Sequence, residues 1–393
     1  MTMAIQQSPP PEWDLIQRRA LLIGAVCLIL LLAGAFWNLD QFFRAYLVAF
    51  TYWLGIGLGC LVILMIQYLT GGAWGVVLRR ILESGSVTLA ALAIMFAPIL
   101  LGLQHIYLWA QPEAVVHDPI LEHKRPYLNV PFFLVRAASY FAVWLLLTFR
   151  LTSWSVQQDY TKDPGTWRRF RLLSGPGMVL YGLTITFASI DWAMSIEPDW
   201  YSTIYPALYA TSQLLTAMAF AIAVLMLLAG QPALSEVIAP SHLRDLGNLL
   251  LTFVMLWAYM QISQFLLIWS GNLPEEIPWY LRRISGGWEF VALVMVLLHF
   301  ALPFLLLLSK DIKRNRRLLA SVALGLMAMR FIDVFWWIEP AYPHVGQYLF
   351  WLLDLAAVAG LGGIWIWVFI WQLKKQPLLP VYDPSLEEAL HHE

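Results

Sequence analysis

Ten stretches of this chain are each long and apolar enough to cross a membrane as a helix, and nothing else in the sequence constrains the fold as tightly. A bilayer core of ~30 Å needs about 20 apolar residues in helical form. Stretches of this kind run over residues 20–39, 45–69, 86–110, 130–151, 175–196, 203–229, 246–270, 287–308, 318–338 and 347–372. No segment alternates polar and apolar residues for long enough to suggest a barrel. Charged residues make up 12% of the 393, against about 25% in a soluble domain, so the bulk of the chain is expected in lipid. The first apolar run carries no small-residue cleavage site and reads as an uncleaved span rather than a signal peptide. The expected fold is an all-α polytopic membrane protein with ten transmembrane helices.

The 24 Lys and Arg residues are distributed unevenly. The N-terminal segment, the loops after helices 2, 4, 6 and 8 and the C-terminal segment, counting Arg150 at the very end of helix 4, hold 17 of them, most densely at WRRFR (Trp167–Arg171) and KDIKRNRR (Lys310–Arg317). Five belong to the other face: Arg44, Lys124, Arg125, Arg282 and Arg283. Arg136 and Arg330 lie within spans. This bias predicts that both termini, 1–19 and 373–393, are cytoplasmic. The opposite face carries EPDWY, PEEIPW and EPAYPH, with Trp and Tyr at interface depth. The tail after Lys375 is short and Pro-rich, and is expected to touch a partner rather than fold alone. A net charge of −1 gives no sign of nucleic-acid binding.

Two stretches repeat. IDWAMSIEP (Ile190–Pro198) closes helix 5, and IDVFWWIEP (Ile332–Pro340) closes helix 9. Helix 3 begins with Glu83 and Gly85 and ends in Gln104, Trp109, Pro112 and Glu113. Helix 7 begins with Asp245 and Gly247 and ends in Gln264, Trp269, Pro274 and Glu275. These matches predict two related four-helix bundles, helices 2–5 (residues 45–196) and helices 6–9 (residues 203–338), with helices 1 and 10 as additions. An even number of helices per unit makes the repeat parallel, about an axis along the membrane normal. Gly55, Gly57 and Gly59 in helix 2 and Gly360, Gly362 and Gly363 in helix 10 read as packing glycines.

An ionised side chain at the bilayer centre costs about 2.5–3.5 kcal/mol on insertion scales. His105, Arg136, Asp191, Glu289, His299, Arg330, Asp333 and Asp354 all fall within the predicted spans. Arg330 and Asp333 share a helix face, and make either an ion pair that fixes packing or a proton relay tuned by the arginine. Asp191 has no basic residue within a turn of its own helix, so it is either protonated or met by a cation from another helix. Glu197 and Glu339 follow the two aspartates toward the outer interface. With Asp354 on helix 10 and His299 on helix 8, these residues are the candidates for a proton path. The dull reading of E-P is a helix-stop signal. His105, Tyr107 and Arg136 form a weak candidate quinone pocket, set against a plain aromatic belt. His105 and His299 sit at different depths, which argues against their holding one haem. Cys27 and Cys60 have no close partner, and no CxxC is present, so no metal or iron–sulfur ligand set is visible.

The layout of ten helices, two four-helix bundles, acids within spans and no redox-centre ligands resembles the NrfD/PsrC-type membrane subunits. The I-D-x4-I-E-P ends, the Trp-rich text and the length look most like the F subunit of bacterial alternative complex III, a quinol:electron-acceptor oxidoreductase. The resemblance covers nearly the whole chain and rests on layout rather than on one motif. It implies a bacterial cytoplasmic-membrane subunit with no redox centre of its own. It also implies as partners a longer homologous C-type membrane subunit, an iron–sulfur subunit and multihaem cytochrome c subunits, with menaquinone or quinol in the complex. The proton role it implies maps onto Asp191, Asp333, Arg330, Asp354 and His299. Two rivals remain open: a stand-alone proton-coupled transporter, which would break helices at the midplane in matching places, and a purely structural scaffold. Pro98 and Pro303 lie inside spans at non-matching positions.

Overall fold

The computed structural model describes residues 12–161, 165–235, 237–342, 350–380, 382, 383 and 386. Part of the predicted N-terminal segment, the start of helix 10 at 347–349 and most of the last ten residues lie outside these. No strand occurs among the described residues. Among the described residues ten helices are long and apolar enough to cross a membrane: α1 (Glu12–Ala35), α2 (Leu39–Thr70), α3 (Arg79–Leu101), α4 (Val130–Gln158), α5 (Thr166–Ile196), α6 (Tyr205–Leu228), α7 (Pro240–Gly271), α8 (Trp288–Leu308), α9 (Arg316–Ala341) and α10 (Trp351–Leu373). The chain is an all-α polytopic membrane protein.

Helices α2 and α6 pack together at the centre, and α2 is buried along almost its whole length. The close approach depends on Gly59, where a Cβ would sit 2.2 Å from the Gln213 carbonyl oxygen. Around this pair, α3 and α5 pack on α2, and α7 and α9 pack on α6. Helix α4 lies on α3 and α5, and α8 lies on α7 and α9. Two cross-contacts, α5 on α6 and α9 on α2, complete the ring. The pair α1 and α10 packs outside, crossing where Gly24 meets Gly360 and Gly363.

Most helices begin earlier than their apolar runs, because hydropathy marks only the residues at lipid depth. Asn38 caps α2 by accepting from the Gln41 amide at 3.0 Å, so that the helix begins at Leu39, six residues before the predicted start. Trp167–Arg171 belongs to the first turns of α5 instead of a loop. The predicted helix 3 over 86–110 is displaced most. It starts at Arg79, is interrupted near Thr88 and Phe96, and gives way after Gly102 to short helices at Leu103–Ile106 and Leu108–Ala110.

Arg79 and Arg80, expected in a loop, are fully buried in the first turn of α3. They are tolerated there because each meets carboxylates: Arg80 pairs with Glu83 at 2.8 Å and closely with Asp159, and Arg79 pairs closely with Asp383. Gln376 accepts from Arg80 at 3.1 Å, and the Tyr382 carbonyl accepts from Gln158 at 3.3 Å. The described part of the C-terminal tail therefore packs on the protein's own α3–α4 end. There Asp383 supplies the counter-charge of Arg79, and Gln376 adds an acceptor for Arg80.

Helix α8 contains a π turn over Met295–Ala301. Pro303 explains it, since its ring clashes with the carbonyl four residues back and it has no N–H to donate there, so the helix widens. The counterparts of the two irregular helices, α7 and α4, run unbroken over Pro240–Gly271 and Val130–Gln158. The interruptions are thus not duplicated between the halves.

Candidate functional site

The two I-D-x4-I-E-P segments place four acids inside the protein, and the acids have unequal surroundings. Asp191 is completely buried. Arg136 of α4 reaches it with a two-pronged contact, Nε and Nη2 each donating to one carboxylate oxygen at 2.8 Å. The Tyr140 hydroxyl donates at 2.7 Å. The guanidinium also donates to the Tyr127 carbonyl at 2.9 Å, with its carbon 4.0 Å from the Tyr127 ring centre. Of the two readings of Asp191, the cation from a neighbouring helix is the one found. Such a forked arginine–carboxylate contact is among the strongest and most geometrically specific of hydrogen-bonded pairs.

Glu197 is also buried. Arg282 and Arg283, in the helix Ile277–Arg283 between α7 and α8, take one carboxylate oxygen each, at 2.5 and 2.7 Å. Arg283 is wholly buried and also donates to the Trp336 and Trp337 carbonyls at 3.2 and 2.7 Å, with its carbon 3.7 Å from the Trp279 ring centre. Burial draws its guanidinium below the ordinary value, and the Glu197 charge opposes that. The end of α5 is in this way tied to the end of α9. Tyr342 makes a reciprocal tie, donating to the Ile106 carbonyl at 3.0 Å.

In the second half the partners thin out. Asp333, fully buried, has one oxygen against Arg330 and the Trp257 indole, which donates at 3.2 Å. Its other oxygen has no partner among the described residues. His299 lies in the π turn with its ring stacked 4.2 Å from Trp257, and neither ring nitrogen has a partner there. One oxygen of Glu339 and both oxygens of Asp354 are buried without a partner among the described residues. Asp354 on α10 is close enough to Glu339 to feel its charge, and the charge of Arg44, whose guanidinium covers the Tyr342 ring at 4.1 Å, acts on Glu339 as well.

The helix interfaces between these clusters are polar. The Tyr181 hydroxyl of α5 donates to Gln213 of α6 at 2.8 Å, and Tyr209, one turn from Gln213, interacts with Arg330. The Gln213 amide nitrogen is buried without a partner among the described residues.

Of the three candidate quinone residues, Tyr107 and Arg136 meet the adjacent residues Trp192 and Asp191 at the end of α5, and His105 is engaged elsewhere. His105 is partly exposed and meets Asp40 at 2.7 Å beside Phe43. Tyr107 is buried and donates to the Trp192 carbonyl at 3.0 Å, while Arg136 is committed to Asp191. Glu289, predicted within a span, is exposed at the first turn of α8 and accepts from the Gly287 amide at 2.8 Å. No cluster of three or more metal-binding side chains occurs among the described residues.

Sequence reasoning missed the Arg79–Arg80–Glu83 group, although the i,i+3 spacing of Arg80 and Glu83 was there to read. It also missed Tyr140 and Trp257, which carry no signal, since an aromatic in an apolar run looks like core. No protein-family model and no curated protein matches the chain.

Proposed function

We propose that this chain is a non-redox membrane subunit of a quinol-oxidising electron-transfer complex of the alternative complex III type. In this reading it sits in the bacterial cytoplasmic membrane with both termini inside, contributes a transmembrane proton path and braces the complex. The electron-transfer assignment, with its C-type, iron–sulfur and multihaem cytochrome partners, is supported by the resemblance in layout. The proton path is supported by geometry, and a single observation carries it. His299, Asp333, Glu339 and Asp354 are all buried, all titratable, and each keeps at least one polar atom without a protein partner among the described residues.

A buried polar atom without a partner costs about 1–3 kcal/mol. Folds remove that cost with a side chain or bridge it with internal water. The second half does neither with side chains, while the first half gives Asp191 and Glu197 complete partners. A line of incompletely bonded titratable groups that takes up water is what proton transfer needs. From Asp333 to Glu339 it advances six residues, about 9 Å of helix rise, toward the Trp- and Tyr-rich face. Duplicated acids thus divide the work: the first-half pair braces, and the second-half pair carries protons. Tyr181, Gln213 and Tyr209 lead toward Arg330 from the first half.

The test begins with purification in mild detergent and a visible spectrum. Co-purifying c-type haem is expected. A colourless solitary protein points to a transporter. In the assembled complex, Glu339→Gln and Asp354→Asn are expected to lower protons released per electron. Unchanged coupling with normal assembly would leave the chain a scaffold.

A further inference from the structure

A pocket of about 350 Å³ opens between the segment His123–Leu128 and the end of α5, lined among others by Lys124, Tyr127, Ile190, Met194, Trp200 and Tyr201. Its wall is largely apolar and includes no carboxylate. Its polar groups are mainly donors. The Trp200 indole is 4% exposed, and its N–H is buried without a partner among the described residues. The Lys124 ammonium donates to the Pro198 carbonyl, which fixes the charge beside the pocket and leaves donors to spare. The occupant must therefore supply acceptor oxygens.

Three further observations narrow it. Lys124 and Arg125 stand on the face where basic residues are scarce, against the charge bias of the whole chain. Arg125 is exposed and takes part in no ion pair among the described residues, and His123 beside it is exposed as well. Tyr201 at the rim is half exposed, at the level where aromatic residues meet head groups. A lysine in the wall with an exposed arginine next to it in sequence, a lining tryptophan whose N–H has no partner among the described residues, apolar walls and interfacial depth match one chemical class. We propose that this pocket binds the phosphate head group of a membrane phospholipid. The acyl chains would run down the apolar surface of α5, where Leu183 and Phe187 are exposed. The site is independent of the proton path and goes beyond the function proposed above.

The test uses the full chain in nanodiscs of phosphatidylcholine with phosphatidylglycerol, washed with detergent and weighed by native mass spectrometry. One more phospholipid per chain is expected on the natural protein than on the Lys124→Gln/Trp200→Phe double variant. The occupancy should fall about tenfold, as expected for a lost charge-assisted contact. Arg125→Gln, on an exposed side chain that leaves folding intact, is expected to lower it about threefold. Millimolar inorganic phosphate should leave the retained lipid in place. Equal retention by all variants overturns the proposal. So does displacement by free phosphate, or retention of a quinone at this site in place of the phospholipid.

Discussion

IDWAMSIEP and IDVFWWIEP place an aspartate and a glutamate six residues apart at the ends of α5 and α9, yet the two pairs live in different chemistry. Asp191 and Glu197 are each met by arginines on both oxygens. Asp333 shares one oxygen with Arg330 and Trp257 and keeps the other free of protein partners, and Glu339 has no direct cation among the described residues. The difference is not in the motif. It comes from α4, which supplies Arg136 and Tyr140 to the first half, and from the Ile277–Arg283 helix, which sends both of its arginines across to Glu197 in place of Glu339. The same acid is thus structural or functional according to what a neighbouring helix offers it.

The largest expected effect tests that contrast directly. Asp191→Asn leaves Arg136 buried without its counter-charge, and breaking a buried pair costs about 3–5 kcal/mol. Its melting temperature in detergent should fall sharply, and the double variant Arg136→Met/Asp191→Leu should recover most of the loss. Asp354→Asn removes a carboxyl that has no partner to lose, so its melting should stay level or rise. Equal losses in Asp191→Asn and Asp354→Asn would erase the distinction between partnered and unpartnered acids.

The next effect in size is at the outer ends. Glu197→Gln weakens contacts to two arginines, one of them wholly buried, and should cost about 2–3 kcal/mol. Glu339→Gln should cost under about 1 kcal/mol while lowering protons released per electron in the complex. A destabilised Glu339→Gln with full coupling would assign Glu339 to bracing as well.

How much of this was legible in the sequence follows from what each signal measures. The ten spans were readable because apolar length is a one-dimensional property, and the basic clusters because charge is counted residue by residue. Helix starts were misplaced where polar turns such as Arg79–Glu83 continue the helix beyond the apolar run. The Arg330–Asp333 pair was readable because i,i+3 spacing is local. Arg136–Asp191 is 55 residues apart, and Arg283–Glu197 is 86 apart. Pairs so distant in sequence depend on how helices are arranged, which periodicity does not encode. The tail's contact with Arg79 was hidden for the same reason.

A smaller effect is expected at His299. Phe in its place keeps the ring stack on Trp257 and removes two nitrogens that have no partner among the described residues. His299→Phe should therefore melt within about 1 kcal/mol of the natural protein, with fewer protons released per electron. A marked loss of stability would show that the imidazole has a structural role, and would move it to the same class as Asp191.

The smallest effect concerns the turn that holds this histidine. If Pro303 causes the widening of α8, Pro303→Ala supplies an N–H that can donate to the carbonyl four residues back. Amide exchange at residues 299–303 should then slow. The position of His299 should change little, because Trp257 stacks on its ring and Trp288 packs on Phe335 at 5.4 Å, pinning α8 within the turn and ahead of it. Proton release should fall by no more than about twofold, because the imidazole keeps its place. Unchanged exchange together with a collapse of proton release would mean that the packing of Trp257 on His299 holds the turn open. The asymmetry between the halves would then reside in α7 and α8 as much as in the acids of α9.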